Sequence, residues 1–290
     1  MESRISGHTK LYALIGSPVG HSGSPAMYNY SFARTGVDAA YLAFDVPLEK
    51  VEEGVAAMKT LQVGGFNVTM PDKTAVAGLV DDLSPAAKLI GACNTVTVGE
   101  DGRLTGHNTD GIGFVQNLRE HGVSVRGKRI VVLGAGGAAT AICVQTALDG
   151  AAGLEIFNRK DEFYANGERT VEKLAKSVPG CPASIHPLED SEALAQAVGR
   201  CDILVNATKV GMKPLDGECL IDASLLRKDL IVADTVYNPK ETLLIQKAKE
   251  AGCTAAIGGI GMLLWQGVAA FRLFTGKDMP AQEVLEKFFS

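Results

Sequence analysis

The sequence lacks the residue spacings that bind metals or form redox cysteine pairs. Its six cysteines are scattered without a C-x-x-C pair, and its five histidines show no ligand spacing. Zinc sites and thiol redox motifs both need such closely spaced ligands. We therefore expect reduced thiols and no metal site.

Long apolar segments and basic runs are also missing. No stretch of about 18 apolar residues could span a membrane, and Met1 to Lys10 is too polar for a secretion signal. A net charge of -5 without a basic run offers no surface for nucleic acid or an anionic membrane. We expect a soluble, cytoplasmic protein with a small-molecule partner. The oligomeric state stays open, with a homodimer as one candidate.

The chain is long for a single hydrophobic core. Its 290 residues, 46% apolar and 21% charged, are typical of a globular protein, and they predict one large or two ordinary domains. Because short apolar runs alternate with helical stretches from Leu11 onward, we expect two α/β domains with parallel strands. In the first half, strands are predicted at residues 11–15, 40–46, 63–68, 95–98 and 103–108, and helices at 25–35 and 51–60.

A second series begins near Lys128, after a helix predicted at residues 110–121. Its pattern is that of a doubly wound parallel sheet. The tail is helical and is expected to pack back on the first half. The predicted strands lie at 128–133, 154–157, 203–206, 230–234 and 254–257, and the tail helices at 262–274 and 282–288.

A glycine-rich turn directly follows the strand predicted at 128–133 and opens a helix. Gly134, Gly136 and Ala139 satisfy the dinucleotide fingerprint G-x-G-x-x-G/A. The first glycine permits a tight turn, the second lets the backbone approach a pyrophosphate, and the helix start supplies amides to the phosphates. The predicted phosphate-binding residues are Gly134, Ala135, Gly136, Gly137 and Ala138.

The next strand ends where an adenine ribose would lie, and the sequence there reads Asn158-Arg159-Lys160-Asp161. An acidic residue binds the ribose diol of NAD, whereas Arg or Lys accommodates the 2′-phosphate of NADP. Since both kinds of residue are present, we expect NAD to be preferred and NADP to be tolerated. Asp161 could instead cap the helix predicted at 162–176.

The run Asn67-Val-Thr-Met-Pro-Asp-Lys73 places a lysine at the start of a helix. Pro71 fits the first helical position. A cation in the first turn faces the positive end of the helix dipole, which disfavours the charge. Taken alone, an ordinary solvated lysine is the simpler interpretation of Lys73.

Three further polar clusters lie at the expected carboxyl ends of strands, where open parallel sheets bind ligands. Ser24 could simply cap a helix before Pro25, Asn94 could be a turn residue, and Asp110 a helix cap. A structural role is favoured for His21 and His107. The clusters are His21-Ser22-Gly-Ser24-Pro25, Gly91-Ala-Cys-Asn94-Thr and Gly106-His-Asn-Thr-Asp110-Gly.

Together these clusters resemble the shikimate dehydrogenase family, from about Leu11 to Phe274. The runs Asn206-Ala-Thr208-Lys209-Val-Gly-Met212 and Gly261-Met-Leu-Leu-Trp265-Gln266-Gly267 resemble its quinate/shikimate branch. Two positions depart from the family: Tyr28 stands where a histidine is common, and Lys160-Asp161 where strict NADP users carry threonine and arginine.

The resemblance implies a role for each matching residue. Ser22 and Ser24 would bind the substrate carboxylate, and Lys73 and Asp110 would handle the proton of the reacting hydroxyl. Gln266 could instead cap or bridge its own helix. The residues implied to hold the ring hydroxyls are Thr69, Lys73, Asn94, Asp110 and Gln266, with Tyr237 nearby; those implied beside the nicotinamide are Lys209, Thr235, Val236, Tyr237, Asn238 and Gly259.

The implied function is reversible hydride transfer between NAD(P) and the C3 hydroxyl or carbonyl of shikimate, quinate or their dehydro forms. The implied fold is an N-terminal α/β/α substrate domain with a mainly parallel sheet and a Rossmann-type NAD(P) domain, with a cleft between them. We assign residues 1–112 to the first domain, with the helices of 262–290 packed on it, and 113–261 to the second. The alternatives are a methylene-tetrahydrofolate-type dehydrogenase and a non-catalytic nucleotide-dependent sensor.

Overall fold

The computed structural model describes residues 5–289, so Met1 to Arg4 and Ser290, which were assigned from the sequence to the first domain, lie outside it. The chain divides into two compact units. One runs to Thr109 and resumes at Leu264, and the other extends from Asp110 to Leu263. None of the described helices is both long and apolar enough to cross a membrane.

The first unit is built on a mixed six-stranded sheet in the order β2-β1-β3-β5-β6-β4. Three strand pairs are parallel, whereas β5 runs antiparallel to both β3 and β6. This confirms the predicted mainly parallel sheet. The elements are β1 (Lys10–Gly16), α1 (Ser24–Thr35), β2 (Ala39–Asp45), a 3-10 turn (Leu48–Lys50), α2 (Val51–Thr60), β3 (Gly65–Val68), α3 (Lys73–Ala77), β4 (Asp82–Leu83), α4 (Pro85–Ile90), β5 (Thr95–Val98) and β6 (Leu104–His107).

The second unit carries an all-parallel six-stranded sheet in the order β12-β11-β10-β7-β8-β9, as predicted for a doubly wound fold. Helices α5 and α6 approach closely at Gly111, where a Cβ would lie 2.4 Å from the carbonyl oxygen of Ala141. The elements are α5 (Asp110–Glu120), β7 (Arg129–Leu133), α6 (Gly137–Leu148), β8 (Gly153–Asn158), α7 (Tyr164–Ser177), β9 (Ala183–Pro187), α8 (Ser191–Arg200), β10 (Ile203–Asn206), a 3-10 turn (Ala223–Leu225), β11 (Ile231–Asp234), α9 (Leu243–Glu250) and β12 (Ala255–Ile257).

Two C-terminal helices, α10 (Ile260–Thr275) and α11 (Ala281–Phe288), complete the fold. Phe271 and Val284, from these helices, are fully buried in a cluster with Tyr28, Phe32 and Tyr41 of the first unit. A separate apolar cluster of this unit contains residues of β3, α2 and α3. Burial of large aromatic side chains is the main stabilising contribution here.

Two strands were missed in the sequence. The side chains of β9 are only half-buried, and the strand ends in Pro187, so it shows no apolar run. Strand β4 has only two residues. Both lie at sheet edges, where apolar patterning is weakest because one side meets no further strand.

Candidate active site

The polar clusters of the first unit meet at one edge of its sheet. Asn94 precedes β5, so the expectation that its cluster follows a strand is wrong. Because β5 is antiparallel to β3 and β6, its start nevertheless lies at the carboxyl edge of both: Thr95 pairs with Asn67 and with His107. Strand reversal therefore brings Asn94 to the predicted edge.

Buried hydrogen bonds join these clusters. The Oδ1 atom of Asn94 accepts from the Thr109 backbone N at 2.9 Å, from Thr109 Oγ1 at 3.1 Å and from Thr95 Oγ1 at 3.0 Å. The Nδ2 atom of Asn67 donates to the Asn94 carbonyl at 3.2 Å and to Thr95 Oγ1 at 3.0 Å. Asn94 is thus more than a turn residue, because it fixes Thr109, the residue immediately before Asp110.

Lys73 lies in the first turn of α3, as predicted, and is the first residue of that helix. Its carbonyl oxygen accepts from the Cys93 backbone N at 3.0 Å, which ties α3 to the segment before Asn94. Pro71 lies in the preceding turn, after a cis Met70-Pro71 peptide, so its predicted place at the first helical position is wrong. Because α3 has only five residues, its dipole acts more weakly on Lys73 than we expected.

The residue before Lys73 was missed in the sequence. Asp72 is fully buried, and neither carboxylate oxygen has a hydrogen-bond donor in the described part of the chain. Burial, with a smaller contribution from the charge of Glu49, raises the pKa of this carboxyl. Val76 is also fully buried and lies four residues further on. Residues four apart lie on the same side of a helix, so this spacing was the signal in the sequence that Asp72 points inward.

The two predicted carboxylate-binding serines lie around the start of α1. The N-cap of α1 is Gly23, and Ser24 makes no side-chain cap bond, so the interpretation of Ser24 as a helix cap is wrong. Ser84, in contrast, does cap α4 by accepting from the Ala87 backbone N at 3.3 Å. Ser22 Oγ accepts from the Ser24 backbone N at 3.2 Å, which holds the serine loop in a turn.

Tyr28, one of the positions that depart from the resemblance, packs beside the residues of this edge. Its ring stacks on Tyr41 with centroids 4.4 Å apart. The Tyr41 hydroxyl donates to Asn67 Oδ1 at 2.8 Å, and the Tyr28 hydroxyl donates to the Gly267 carbonyl at 3.2 Å. The pair therefore braces both the strand that ends in the lysine motif and the turn of α10 that carries Gln266.

His107 is half-buried beside the same edge. Its Nε2 atom lies 3.3 Å from Thr97 Oγ1, and burial lowers the pKa of the imidazole. A neutral, hydrogen-bonded histidine matches the structural role that we favoured.

In the second unit, the glycine-rich turn lies between β7 and α6. Gly134 has a φ of 107°, and a Cβ there would lie 2.8 Å from the Ala207 carbonyl oxygen, so glycine is required. A Cβ on Gly136 or on Gly137, in contrast, would meet no atom within 4 Å. The start of α6 thus presents accessible backbone amides, as a phosphate group requires.

The loop after β8 is held by two side chains. Asn158 Oδ1 accepts from the Ala135 backbone N at 3.1 Å, and Asn158 Nδ2 donates to Asp161 Oδ1 at 2.9 Å. The same Asp161 oxygen accepts from the Phe163 backbone N at 2.9 Å. The N-cap of α7 is Phe163, so the interpretation of Asp161 as the cap is wrong, although Asp161 does order the turn. Arg159 and Lys160 are exposed.

The residues expected beside the nicotinamide follow β10, β11 and β12. Lys209 is exposed, and about half of the Tyr237 side chain is exposed (49%). Gly259 packs against the Thr235 backbone, where a Cβ would lie 2.3 Å from the carbonyl oxygen, and its N donates to the Val236 carbonyl at 3.1 Å. Across residues 5–289, no group of three or more potential ligand side chains could hold a metal ion.

Three buried polar residues of this edge were also missed. Asp234, Asn206 and Thr242 are at most 3% exposed. Burial raises the pKa of Asp234, while its hydrogen bonds oppose the rise. The signal in the sequence was Asp234 itself, an acidic residue at the end of a buried and otherwise apolar strand.

The first unit has a polar sheet edge with a lysine at a helix start, and the second unit has a dinucleotide fingerprint. Together they define a two-domain α/β protein of the NAD(P)-dependent oxidoreductase class. Residues 14–96 match the family model of the shikimate dehydrogenase substrate binding domain, and residues 259–287 that of the shikimate 5'-dehydrogenase C-terminal domain. The chain belongs to the shikimate dehydrogenase family.

Curated and solved relatives cover nearly the whole chain. Shikimate dehydrogenase (NADP(+)) of Listeria monocytogenes serotype 4b (strain F2365) is 49% identical over 99% of this chain and 98% of its own. The structure of Listeria monocytogenes shikimate 5-dehydrogenase in complex with shikimate and NAD has a TM-score of 0.95 at 48% identity, covering 99% and 98% of the two chains. Quinate dehydrogenase from Corynebacterium glutamicum in complex with NAD has a TM-score of 0.86 at 29% identity, covering 97% and 99%.

Proposed function

We propose that this chain is an NAD(P)-dependent shikimate dehydrogenase of the shikimate pathway. It reversibly transfers hydride between NAD(P) and the C3 hydroxyl of shikimate, and quinate is a second candidate substrate. The buried network of Asn67, Asn94 and Thr109 carries this proposal, because it gathers the lysine motif, the asparagine and the segment leading to Asp110 at one sheet edge. The similarity of the chain to shikimate dehydrogenases and to a quinate dehydrogenase supports the proposal.

Substrate binding is assigned to residues 1–112 with the helices of 262–290, and cofactor binding to residues 113–261. Hydroxyl, amide and charged groups suit a polyhydroxy acid, since each ring hydroxyl both donates and accepts. Ser22 and Ser24 bind the carboxylate. The ring hydroxyls are held by Thr69, Lys73, Asn94, Asp110 and Gln266, and Tyr237 is assigned to substrate binding as well.

Lys73 and Asp110 handle the proton. In alcohol oxidation the neutral Lys73 amine accepts the C3 hydroxyl proton as the C3 hydride leaves, and in carbonyl reduction the Lys73 ammonium donates it. Asp110 orients Lys73 and accepts a hydrogen bond from a substrate hydroxyl. Bound NAD(P) supplies the hydride acceptor or donor.

The cofactor is held by the glycine-rich turn and the segments after β8, β10, β11 and β12. Gly134 to Ala138 face the phosphates, Asn158 to Asp161 the adenine ribose, and Lys209 with Thr235, Val236, Tyr237, Asn238 and Gly259 the nicotinamide. We propose that NAD is preferred over NADP. One Asp161 oxygen, Oδ1, accepts two protein hydrogen bonds, so the second oxygen, Oδ2, is the atom proposed to accept from the ribose diol.

The test is a spectrophotometric matrix of shikimate and quinate against NAD and NADP. We expect NADH formation with shikimate and a higher kcat/KM with NAD than with NADP. The Asp161→Ala variant should lose more kcat/KM with NAD than with NADP, whereas Asp216→Ala, at an exposed position, should leave the ratio unchanged. Absence of NAD(P)H formation with both substrates would refute the proposed function.

A further inference from the structure

Two loops of the second unit carry most of the residues assigned to the nicotinamide. One follows β10 and contains Thr208 and Lys209; the other follows β11 and contains Thr235 to Asn238. Both leave the sheet at the carboxyl edge of adjacent parallel strands. Loops at this edge need a fixed backbone if they are to place a cofactor ring.

A single buried carboxylate connects these loops. Asp234, the last residue of β11, accepts at Oδ1 from the Val236 backbone N and from Asn206 Nδ2, both at 2.9 Å. Its Oδ2 atom accepts from Thr242 Oγ1 at 2.6 Å. Thr242 is also the N-cap of α9, so the carboxylate reaches the far end of the second loop as well.

The Asn206 amide extends the connection into the first loop. Its Nδ2 atom also donates to the Val210 carbonyl at 3.0 Å, and its Oδ1 atom accepts from the Thr208 backbone N at 3.2 Å and from Thr208 Oγ1 at 2.7 Å. The turn that carries Lys209 is therefore fixed on both sides by a side chain bonded to Asp234.

The glycine-rich turn packs against the same assembly. A Cβ on Gly134 would lie 3.0 Å from Thr208 Cγ2, and a Cβ on Gly211 would lie 3.2 Å from Thr242 Cβ. A side chain larger than that of glycine would therefore be crowded at either position. A buried carboxylate is tolerated only while all its donors stay in place, so the loops are held together as a unit.

We propose that Asp234 is a positioning residue for the cofactor: through Asn206, Val236 and Thr242 it sets the backbone of both nicotinamide-side loops. Asp234 itself is buried and acts through the loops without touching the substrate. The inference rests on the proposed dinucleotide function of this unit.

The experiment compares NAD affinity, measured by isothermal titration calorimetry, with the KM for shikimate. Thr242→Val removes one donor to Asp234 and is expected to raise the Kd of NAD about tenfold, because without this bond the loop conformation that binds the cofactor is less populated, and the apparent Kd rises in proportion. Thr242→Ser keeps the hydroxyl and should restore the wild-type Kd. Asp234→Ala removes all three contacts and should raise the Kd further; if it does not fold, Thr242→Val remains the test.

Thr146→Val is the matched control. Thr146 is equally buried in the same unit and donates to the Ile142 carbonyl at 2.7 Å within α6, so its loss lowers stability while the Kd of NAD stays unchanged. In folded Thr242→Val and Asp234→Ala the Kd of NAD should change by a larger factor than the KM for shikimate, because the two loops carry most of the residues assigned to the nicotinamide but only Tyr237 among those assigned to the substrate. A wild-type Kd in Thr242→Val, or an equal change in Thr146→Val, would overturn the proposal. A wild-type protein that binds NAD but does not oxidise shikimate would refute the proposed function and leave the comparison of NAD Kd values among the variants valid.

Discussion

Replacing Asp72 by asparagine tests whether the carboxyl beneath the lysine motif is held protonated. Asp72 is fully buried, and both oxygens lack a donor among residues 5–289. Its pKa is raised above the ordinary value of 3.8, first by burial and then by Glu49. The folded state therefore binds the proton more tightly than the unfolded state, so the contribution of Asp72 to stability is fully present below pH 3.8 and is lost as the pH rises through the folded-state pKa.

Asparagine has the same shape and stays neutral, so it does not lose stability in this way. Near pH 4 the two proteins should have similar free energies of unfolding. At pH 8 the Asp72→Asn variant should be more stable by about 1 to 3 kcal/mol, because a buried group without partners costs more when it can carry a charge than when it is a neutral amide. For a domain of this size that corresponds to a rise in Tm of roughly 2 to 12 °C.

The assay is thermal unfolding of wild type and Asp72→Asn between pH 4 and pH 8. Asp216→Asn, at an exposed position, is the matched control. Its Tm should differ only slightly from that of wild type, and by the same amount at every pH. If Asp72→Asn were less stable at pH 8, the carboxylate would have a stabilising partner and the reasoning would be refuted.

The remaining predictions concern bracing of the two sites. Tyr41→Phe removes the hydroxyl that donates to Asn67 Oδ1 at 2.8 Å, and it should raise the KM for shikimate while the Kd of NAD stays the same. The control variant Tyr30→Phe loses a surface contact to Glu283 and should change neither constant. Gly259→Ala introduces a Cβ 2.3 Å from the Thr235 carbonyl oxygen and should lower kcat/KM for NAD on the order of 10- to 100-fold. Gly199→Ala meets no atom within 4 Å and lies inside α8, so it should raise stability slightly and leave kinetics unchanged. Wild-type kinetics in both Tyr41→Phe and Gly259→Ala would contradict the assigned bracing.

The sequence predicted what depends on local pattern. Apolar runs and helix signals placed most strands and helices, and the strand, glycine turn and helix around Gly134 were found because all three signals are contiguous. Lys73 was placed correctly at a helix start for the same reason. The half-buried strand β9 was missed because it is short, ends in Pro187 and shows no alternation in burial.

Features that depend on tertiary contacts could not be predicted. The direction of β5, which brings Asn94 to the active edge, is decided by pairing with two other strands. Asp161 looks like a helix cap in the sequence, but its carboxylate bonds to Asn158, which lies outside the helix. Asp234 and Asn206 look like ordinary strand ends until their side chains are seen to meet at 2.9 Å.

The central claim, that Lys73 transfers the proton of the reacting hydroxyl, is tested most directly by the turnover of Lys73→Ala with shikimate and NAD. We expect kcat to fall on the order of 10²- to 10⁴-fold, the usual contribution of a positioned acid or base, while the Kd of NAD stays unchanged. Lys88→Ala, at an exposed lysine of α4, should keep wild-type turnover. Near-normal kcat in Lys73→Ala would contradict the account.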